Sequence, residues 1–476
     1  MPPTECRLGA YKNFEQEMSI VNRKRLNMVK IGVPVLVSIV MLILLFIGVS
    51  IDRDPFYNQG QQSAQSPYIE LVKLDGEQFL VGDVVVEWLS GKVDGKELYN
   101  RYSSQGKVYS ANPVTIQYTI YNIPANVEVE SQSVELSEDS SFIDAQTIDL
   151  PGNKRSVSFE HLYTDRIYYY RVTAHLSNDT KTTALGQFKT ANTPRIISTE
   201  GVWNMRDIGG VETLDEKKLR QGLVYRGVEL DGDVYEKYCI TEEGTRVLTE
   251  ELGIRTELDL RGKKENTKDM LGPDVKHNVY SSIYAYSDSL ISYYTKNYRQ
   301  LFSDLAKEET YPAYIHCSYG KDRTGTVIFL LQLLLGVSEE DAYREWELSV
   351  LLDGVIDYIP MEKYIADLKK LEGDTMQEKV ENHLLSIGVT KSEIENIRKI
   401  LIEDYIPNDT DTDEQNSVLE GKKIVYDGDS IAMGLFGDGG YAQMIADLTN
   451  SEMVNFAIGG WAAGVPQRRR ELSLGS

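Results

Sequence analysis

A cysteine and an arginine with five residues between them carry the clearest chemical signal in the sequence. Cys317 and Arg323 bracket a loop that also contains Lys321 and Asp322. An ionised cysteine is a strong nucleophile, and a guanidinium can hold two phosphate oxygens through its planar fork. The pattern therefore predicts nucleophilic attack by Cys317 on a phosphate ester whose oxygens Arg323 binds.

The segments on either side of this loop predict how it is held. Residues 311–316 are typical of a short buried strand, and residues 324–335 of a nearly all-apolar helix that ends at Gly336. A loop between a strand and a helix start directs several backbone N–H groups at one point, beside the positive end of the helix dipole. Gly320 leaves one position free to adopt a positive φ. We therefore expect an anion-binding loop with Cys317 at its rim, ionised near neutral pH.

The loop and three upstream segments resemble one known family. Residues 316–324 follow the HC-x5-R-[ST] signature of the protein tyrosine phosphatase superfamily, and GKDRTG at 320–325 is similar to the HCxxGKDRTG branch of bacterial tyrosine and lipid phosphatases. NMRDIGG at 204–210, VYRG at 224–227 and LDLR at 258–261 resemble motifs of that branch, in the same order. The resemblance covers about residues 193–405. The alternative interpretation is a buried structural cysteine beside a helix start.

The resemblance implies roles for individual residues. Cys317, Asp322 and Arg323 would be catalytic, with Asp322 protonating the leaving oxygen and then accepting a proton from water. The remaining loop residues would form the substrate site: Ser318, Tyr319, Gly320, Lys321 and Thr324. His316 would orient the loop without acting as the base. Asp288, in the polar stretch 284–289, is the alternative acid, because two cations beside Asp322 favour its carboxylate form.

Two of these residues bear on specificity and turnover. Lys321 adds a second cation, which suits substrates with more than one phosphate, so phosphoinositides are as plausible as phosphotyrosine; a solvated lysine is the alternative. Thr324 is expected to hydrogen-bond the Cys317 sulfur as it leaves the phosphoenzyme. The sequence has no recognisable metal-ligand spacing, so we expect neither a metal nor another cofactor.

Composition limits the partners. The chain has 476 residues, enough for roughly three domains, and a net charge of −23, so no nucleic acid partner is expected. Its three cysteines provide no disulfide framework.

The N-terminal region predicts a membrane anchor. Residues 31–51 carry no charge and are long enough to span a bilayer, while lysines and arginines precede them and Asp52 and Asp54 follow. This bias predicts a cytoplasmic tail (1–30), a transmembrane helix (31–51) and an extracellular remainder in a single-pass cell-membrane protein. A cleaved signal peptide is the competing interpretation.

Residues 68–190, after a polar linker at 52–67, predict a β-sandwich. Short alternating apolar runs, including 79–81 and 84–86, are separated by turn residues. Residues 162–190 resemble the closing strands of a fibronectin type III domain, and 91–110 could be an insertion. We expect this domain to act as a spacer.

The rest of the chain predicts an α/β phosphatase-like domain at 193–405 and a partial α/β segment at 421–476. The strand at 256–261 should lie beside the strand ending at His316, in a mixed sheet flanked by helices. After an acidic linker at 406–420, residues 423–431 and 455–460 resemble the first two blocks of SGNH hydrolases. No histidine follows His383 to act as the base, so this segment resembles a truncated hydrolase that is not expected to act alone.

The sequence therefore predicts a membrane-anchored, Cys-dependent phosphatase acting on phosphoproteins or phospholipids. Two other functions stay open: a surface adhesin that binds phosphorylated ligands without turnover, and an SGNH-type esterase. A phosphate-release assay separates the first from a phosphatase, and the missing histidine counts against the second.

Overall fold

The computed structural model describes residues 66–105, 111–262, 268–281, 283–291, 293–354 and 356–406, and the strands 423–426 and 452–455. The chain divides into two units, Met1–Tyr405 and Ile406–Ser476. The predicted tail, the transmembrane segment 31–51 and nearly all of the linker 52–67 lie outside the described residues. Within the described ranges, no helix is both long and apolar enough to cross a membrane.

Two antiparallel sheets form a seven-stranded sandwich in the first part of unit one. Its strands are β1 (Tyr68–Leu71), β2 (Val114–Tyr121), β3 (Val129–Ser137), β4 (Gln146–Pro151), β5 (Ser156–Phe159), β6 (Ile167–Leu176) and β7 (Lys181–Lys189). The sheets have the orders β1-β2-β5 and β4-β3-β6-β7. Every second residue of β6 is buried, including Tyr168 and Tyr170, because alternate side chains of a strand point to opposite faces. The fibronectin type III resemblance itself stays a prediction.

The prediction of a strand at 84–86 was wrong. These valines lie in helix α1 (Asp83–Leu89), and helix α2 (Gly95–Tyr102) follows. A short apolar run does not distinguish strand from helix, and Trp88, one helical turn after Val84, completes a buried helix face. This helical insertion, residues 83–102, therefore begins before the expected position 91.

A six-stranded mixed sheet organises the second part of unit one. Its strands are β8 (Arg195–Ile196), β9 (Arg206–Asp207), β10 (Val224–Gly227), β11 (Thr256–Asp259), β12 (Lys276–Val279) and β13 (Ala313–His316), in the order β12-β11-β13-β10-β9-β8. β10 to β13 are parallel, and β11 lies beside β13 as expected. The register aligns Gly227 and Asp259 with His316, so three strands end together where the Cys317 loop begins.

Eight helices are described around this sheet: α3 (Glu242–Arg246), α4 (Thr295–Leu305), α5 (Arg323–Leu334), α6 (Glu339–Glu347), α7 (Ser349–Asp353), α8 (Tyr358–Leu368), α9 (Met376–Ser386) and α10 (Lys391–Leu401). Every residue of α5 after Arg323 is buried, which explains why it lacks a polar face. Thr375 and Thr390 cap α9 and α10 in capping boxes with a glutamate three residues on. The mixed sheet flanked by helices agrees with the predicted architecture.

The sandwich packs against the phosphatase-like part and is more than a spacer. Arg195, 4% exposed, donates to the Leu162 carbonyl (3.1 Å) and to the Asp207 carboxylate (2.8 Å). Arg166 of the sandwich pairs with Glu403 at 2.6 Å. Apolar residues of the helical insertion share a core with four residues of the second part: Ile196, Leu348, Leu351 and Leu352.

The second unit contains two described strands, β14 (Lys423–Tyr426) and β15 (Glu452–Asn455), which pair in parallel. The linker 406–420 beyond its first residue, and most of both SGNH-like blocks, lie outside the described residues. The SGNH resemblance stays a prediction.

Candidate active site

The Cys317 loop connects the end of β13 to the start of α5. Cys317 is only 3% exposed, so it lies at the base of the loop. The sequence had predicted a position at the rim. Gly320 has φ +65°, and a Cβ there would lie 2.3 Å from the Gly227 carbonyl oxygen. Glycine is required at position 320 for both reasons, since a side chain would be strained by its backbone and would collide with β10.

Arg323 reaches across the loop. Its Nη2 donates to the Ser318 hydroxyl at 3.0 Å, and its Nη1 lies 3.4 Å from the carbonyl oxygens of Leu260 and Arg261. The two residues that follow β11 therefore support the Arg323 guanidinium, which the sequence analysis predicts to bind phosphate. The LDLR motif thus contributes backbone oxygens to the site, a role that its side chains do not reveal.

Asp322 is paired with a phenol that the sequence did not single out. The Tyr286 hydroxyl donates to Asp322 Oδ1 at 2.6 Å, while the Tyr286 N–H donates to the Thr326 hydroxyl at 2.8 Å. Burial, followed by the nearby Asp322 carboxylate, raises the pKa of Tyr286 well above its ordinary value, so the phenol stays a donor. Tyr286 also has φ +54°, a strained conformation for a bulky residue and one that is typical of functional sites.

Asp288, the alternative acid, belongs to the same stretch but is exposed. Its backbone hydrogen bonds are with Ala285 and Ile291. In this stretch the hydrogen bond to Asp322 comes from Tyr286, and the choice between Asp322 and Asp288 as the acid stays a prediction.

Lys321 is neither solvated nor free in the phosphate site. Its Nζ donates to the Asp353 carbonyl oxygen at 2.7 Å and lies 3.3 Å from an Asp353 carboxylate oxygen. The side chain of Lys321 is 12% exposed and that of Asp353 is 2% exposed. The predicted second cation is therefore neutralised by a carboxylate in this structure.

The predicted hydrogen bond from Thr324 to the Cys317 sulfur concerns the step in which the sulfur leaves the phosphoenzyme, and it stays a prediction. The Thr324 hydroxyl is buried and, among the described residues, has no hydrogen-bond partner. Leaving a buried hydroxyl without a hydrogen bond costs free energy. The Thr324 hydroxyl is therefore available to donate a hydrogen bond to a thiolate formed at Cys317.

Buried charges support the loop from below. Asn204 donates to the carbonyl oxygens of Tyr319 (3.2 Å) and Gly320 (3.3 Å), and Arg226 also donates to Gly320. Arg206 and Arg226 share the Glu345 carboxylate, each at 2.7 Å. Burial and then the Arg226 charge lower the pKa of Arg206 to about 9, which leaves it charged at neutral pH. These two guanidinium groups and one carboxylate together carry a net charge of +1.

His316 belongs to a second buried cluster. Its Nε2 lies 2.8 Å from Glu257 Oε1, and Asp259 Oδ2 lies 4.0 Å away. These three side chains have the donor types of a metal site. The His316–Glu257 hydrogen bond and the Arg261 hydrogen bonds to Asp259 account for their arrangement without a metal. His316 Nδ1 lies 3.4 Å from the Cys317 carbonyl oxygen, and Arg261 pairs with Asp231 (2.7 Å) and Asp259 (2.8 Å). The role of His316 in orienting the loop stays a prediction.

An aromatic surface adjoins the phosphate loop. The Tyr319 ring lies 5.7 Å from the Tyr235 ring and 6.3 Å from the Tyr238 ring, measured between centroids. Tyr235 is 49% exposed. Sequence reasoning missed Tyr235 and Tyr238 because they are distant from the loop along the chain.

Comparison with known proteins supports the motif assignment. Residues 197–403, which are less than half of the chain, match a family described as "Tyrosine phosphatase family". No curated protein matches the chain.

Two solved structures show weak similarity. The first is the core catalytic domain of the PP-IP phosphatase SIW14 from S. cerevisiae, with 16% identity and a TM-score of 0.24 over 35% of this chain and 93% of that one. The second is the pectate lyase Pel3 from Pectobacterium carotovorum, with 12% identity and a TM-score of 0.16 over 44% and 42% of the two chains. At these TM-scores neither similarity bears on function.

Proposed function

We propose that this chain is a Cys-dependent phosphatase that hydrolyses phosphate monoesters through a cysteinyl-phosphate intermediate. The observation that carries the proposal is the 317–323 loop. Cys317 lies at its base, Arg323 crosses it, and Arg226 donates to its Gly320 carbonyl oxygen. The family match over residues 197–403 supports the same chemistry.

The first step forms a sulfur–phosphorus bond. The Cys317 thiolate attacks phosphorus while the ester oxygen departs with the bonding electrons and takes a proton from the protonated form of Asp322. Arg323 and the loop N–H groups hold the other phosphate oxygens as charge develops on them. The hydrogen bond that the Tyr286 hydroxyl donates to Asp322 holds this carboxyl group in position.

The second step releases phosphate. Asp322, now a carboxylate, accepts a proton from water as the water oxygen attacks phosphorus and the Cys317 thiolate departs. The unpaired Thr324 hydroxyl is available to stabilise the returning thiolate. Each step uses side chains and backbone N–H groups of this chain, together with water.

Aryl phosphates such as phosphotyrosine suit the site better than phosphoinositides. The partly exposed rings of Tyr235 and Tyr319 offer an apolar surface beside the loop on which a substrate ring can pack, and the buried Tyr238 ring packs against both. Lys321, the cation that a second phosphate would need, is paired with Asp353.

We also propose that residues 31–51 anchor the protein in the cell membrane with the catalytic domain outside. The uncharged run and the lysine and arginine bias before it support this topology. Protease added to intact cells should cleave the catalytic domain from the cells. The uncleaved protein should stay in the membrane fraction after an alkali wash. A domain that is protected in intact cells, or released by alkali, would exclude this topology.

The catalytic proposal is tested with the full chain and p-nitrophenyl phosphate. Cys317→Ser should abolish phosphate release but preserve binding of a phosphotyrosyl peptide, whereas Cys239→Ser, a change at an exposed free cysteine, should retain the wild-type rate. Binding without release by the wild type would favour the adhesin. Hydrolysis of p-nitrophenyl acetate that survives Cys317→Ser would favour the esterase.

A further inference from the structure

Asp353 holds the only side chain of the phosphate loop that could act as a second phosphate-binding cation. It is the last residue of α7 and contacts Lys321 through both its carbonyl oxygen (2.7 Å) and its carboxylate (3.3 Å). Lys321 precedes Asp322 and Arg323 on the loop. A shift of its flexible side chain would bring the ammonium group toward a bound phosphate.

Three further contacts fix the Asp353 carboxylate. The Tyr238 hydroxyl donates to its two oxygens at 2.8 and 2.9 Å, and Lys237 Nζ lies 3.3 Å away. Burial and then the bond to Asp353 raise the pKa of Tyr238 far above its ordinary value, so Tyr238 remains a donor. Asp353 is therefore a fixed negative charge beside the phosphate loop.

The helical insertion sets the position of α7. Leu351 and Leu352, just before Asp353, share an apolar core with Val85 and Trp88 of α1. Trp88 Nε1 also donates to Glu347 at 2.9 Å, just before α7 begins. The sandwich part of the chain thus helps to fix the residue that holds Lys321.

A substrate with two neighbouring phosphates needs more positive charge than one with a single phosphate. A residue that holds Lys321 through its carbonyl oxygen and carboxylate keeps this cation away from a second phosphate. The single-phosphate substrate needs only Arg323, the loop N–H groups and the charges beneath them, none of which Asp353 contacts in the described hydrogen bonds.

We propose that Asp353 is a specificity-determining residue that holds Lys321 and thereby favours single phosphate monoesters over substrates with two adjacent phosphates. This inference rests on the proposed phosphatase function. It assigns aryl monophosphates as the substrate class. It also assigns to Asp353 the selection against substrates with two adjacent phosphates.

The test compares two substrates in the full chain. For wild type and Asp353→Asn, kcat/KM is measured with p-nitrophenyl phosphate and with inositol 4,5-bisphosphate. Asp353→Asn should raise the bisphosphate-to-monophosphate ratio about tenfold, the scale of one charge-assisted hydrogen bond. Adding Lys321→Met should remove the gain, because Lys321 supplies it. Lys237→Met, which removes another cation from Asp353, should leave the ratio unchanged.

Each outcome decides between the claims. An unchanged ratio in a folded Asp353→Asn protein that still hydrolyses p-nitrophenyl phosphate overturns the proposal and leaves the phosphatase function intact. No phosphate release from either substrate by the wild type overturns the phosphatase function itself. If Asp353→Asn does not fold, Lys321→Met alone decides. The bisphosphate-to-monophosphate ratio of Lys321→Met should then equal that of the wild type, because the bond to Asp353 already keeps Lys321 from the substrate; a selective loss with the bisphosphate would show that Lys321 already binds it and would overturn the proposal.

Discussion

Asp322 performs both proton transfers in the proposed reaction. Asp322→Asn should slow phenyl phosphate, which has a poor leaving group, by about 100-fold or more, within the range for general acid catalysis, and p-nitrophenyl phosphate far less. Asp288→Asn, at an exposed carboxylate of the 284–289 stretch, should leave both rates nearly unchanged. Initial rates with the two esters check this. Equal losses on both esters would assign the acid elsewhere.

Tyr286 positions that carboxylate through its hydroxyl, 2.6 Å from Asp322. Tyr286→Phe removes the donor, and we expect phenyl phosphate turnover to fall by roughly threefold to tenfold, which corresponds to one hydrogen bond. Tyr284→Phe is the matched control, because Tyr284 lies in the same stretch and is 41% exposed. If both variants behave alike, the Tyr286–Asp322 contact has no role in turnover.

The histidines behind the loop should make stability depend on pH. Burial opposes protonation of His316, but the Asp259 charge and the Glu257 hydrogen bond outweigh it and raise its pKa above 6.5. The Asp259 carboxylate, 3.5 Å from His277 Nε2, likewise raises the pKa of His277. Groups whose pKa is raised on folding stabilise the protein fully below their unfolded value, and this stabilisation is lost as pH rises through the folded value.

Denaturant unfolding of the full chain should therefore show a free energy of unfolding that falls as pH rises above 6.5, the ordinary histidine value. His277→Gln should flatten this fall, because its side chain does not titrate. His175→Gln, at an exposed position of β6, should keep the wild-type slope. A wild-type slope in His277→Gln would exclude His277 from the network.

At the scale of elements, the phosphate loop depends on its close approach to β10. Gly320→Ala and Gly253→Ala form a matched pair, because φ is +65° and +64° but only Gly320 has a neighbour within 4 Å of the added Cβ. Each change should cost about 1–2 kcal/mol in backbone strain, and Gly320→Ala should cost more.

In Gly320→Ala the loop must move away from β10 to make room for the added Cβ. This movement should lower kcat by about 100-fold, since a misplacement of about 1 Å is enough for such a loss. Gly253→Ala should retain the wild-type kcat. Chemical denaturation and initial rates measure the two effects. Equal destabilisation of both variants would mean that the loop can move away from β10 at no cost.

Local elements were the most predictable part of the structure. The strand ending at His316, the loop and the apolar helix α5 are contiguous, so their roles follow from residue types and spacing alone. Contacts between distant segments were not predictable in this way. Tyr286 lies 36 residues from Asp322 and Asp353 lies 32 residues from Lys321, and only the tertiary fold brings each pair together.

At the scale of the whole molecule, the helical insertion joins the sandwich to the catalytic part. Trp88 is 3% exposed and lies in the core shared with Leu348, Leu351 and Leu352. Trp88→Ala should destabilise the protein by about 3–5 kcal/mol, as large cavities do, and should reduce phosphatase activity together with stability. Phe79→Ala, at a residue 48% exposed, should cost less than about 0.5 kcal/mol. Loss of sandwich structure without loss of catalytic stability would show that the two parts fold independently.

The expected spacer illustrates the limit of sequence patterns at this scale. Alternation in β6 and β7 correctly indicated a sandwich, because each strand has one buried face. The Val84–Val86 run was ambiguous, since its neighbours in the core, including Leu351 and Leu352, lie far along the chain. Charge and apolar patterns define segments, but they do not show which segments share a core.

Mass spectrometry of the trapped intermediate tests the account most directly. The full chain is mixed with a phosphotyrosyl peptide, quenched in acid within the first turnover and digested. The account predicts that the peptide containing Cys317 gains the mass of one phosphoryl group in the wild type but not in Cys317→Ser. Phosphate release without this adduct, or with the phosphoryl group on another residue, would contradict it.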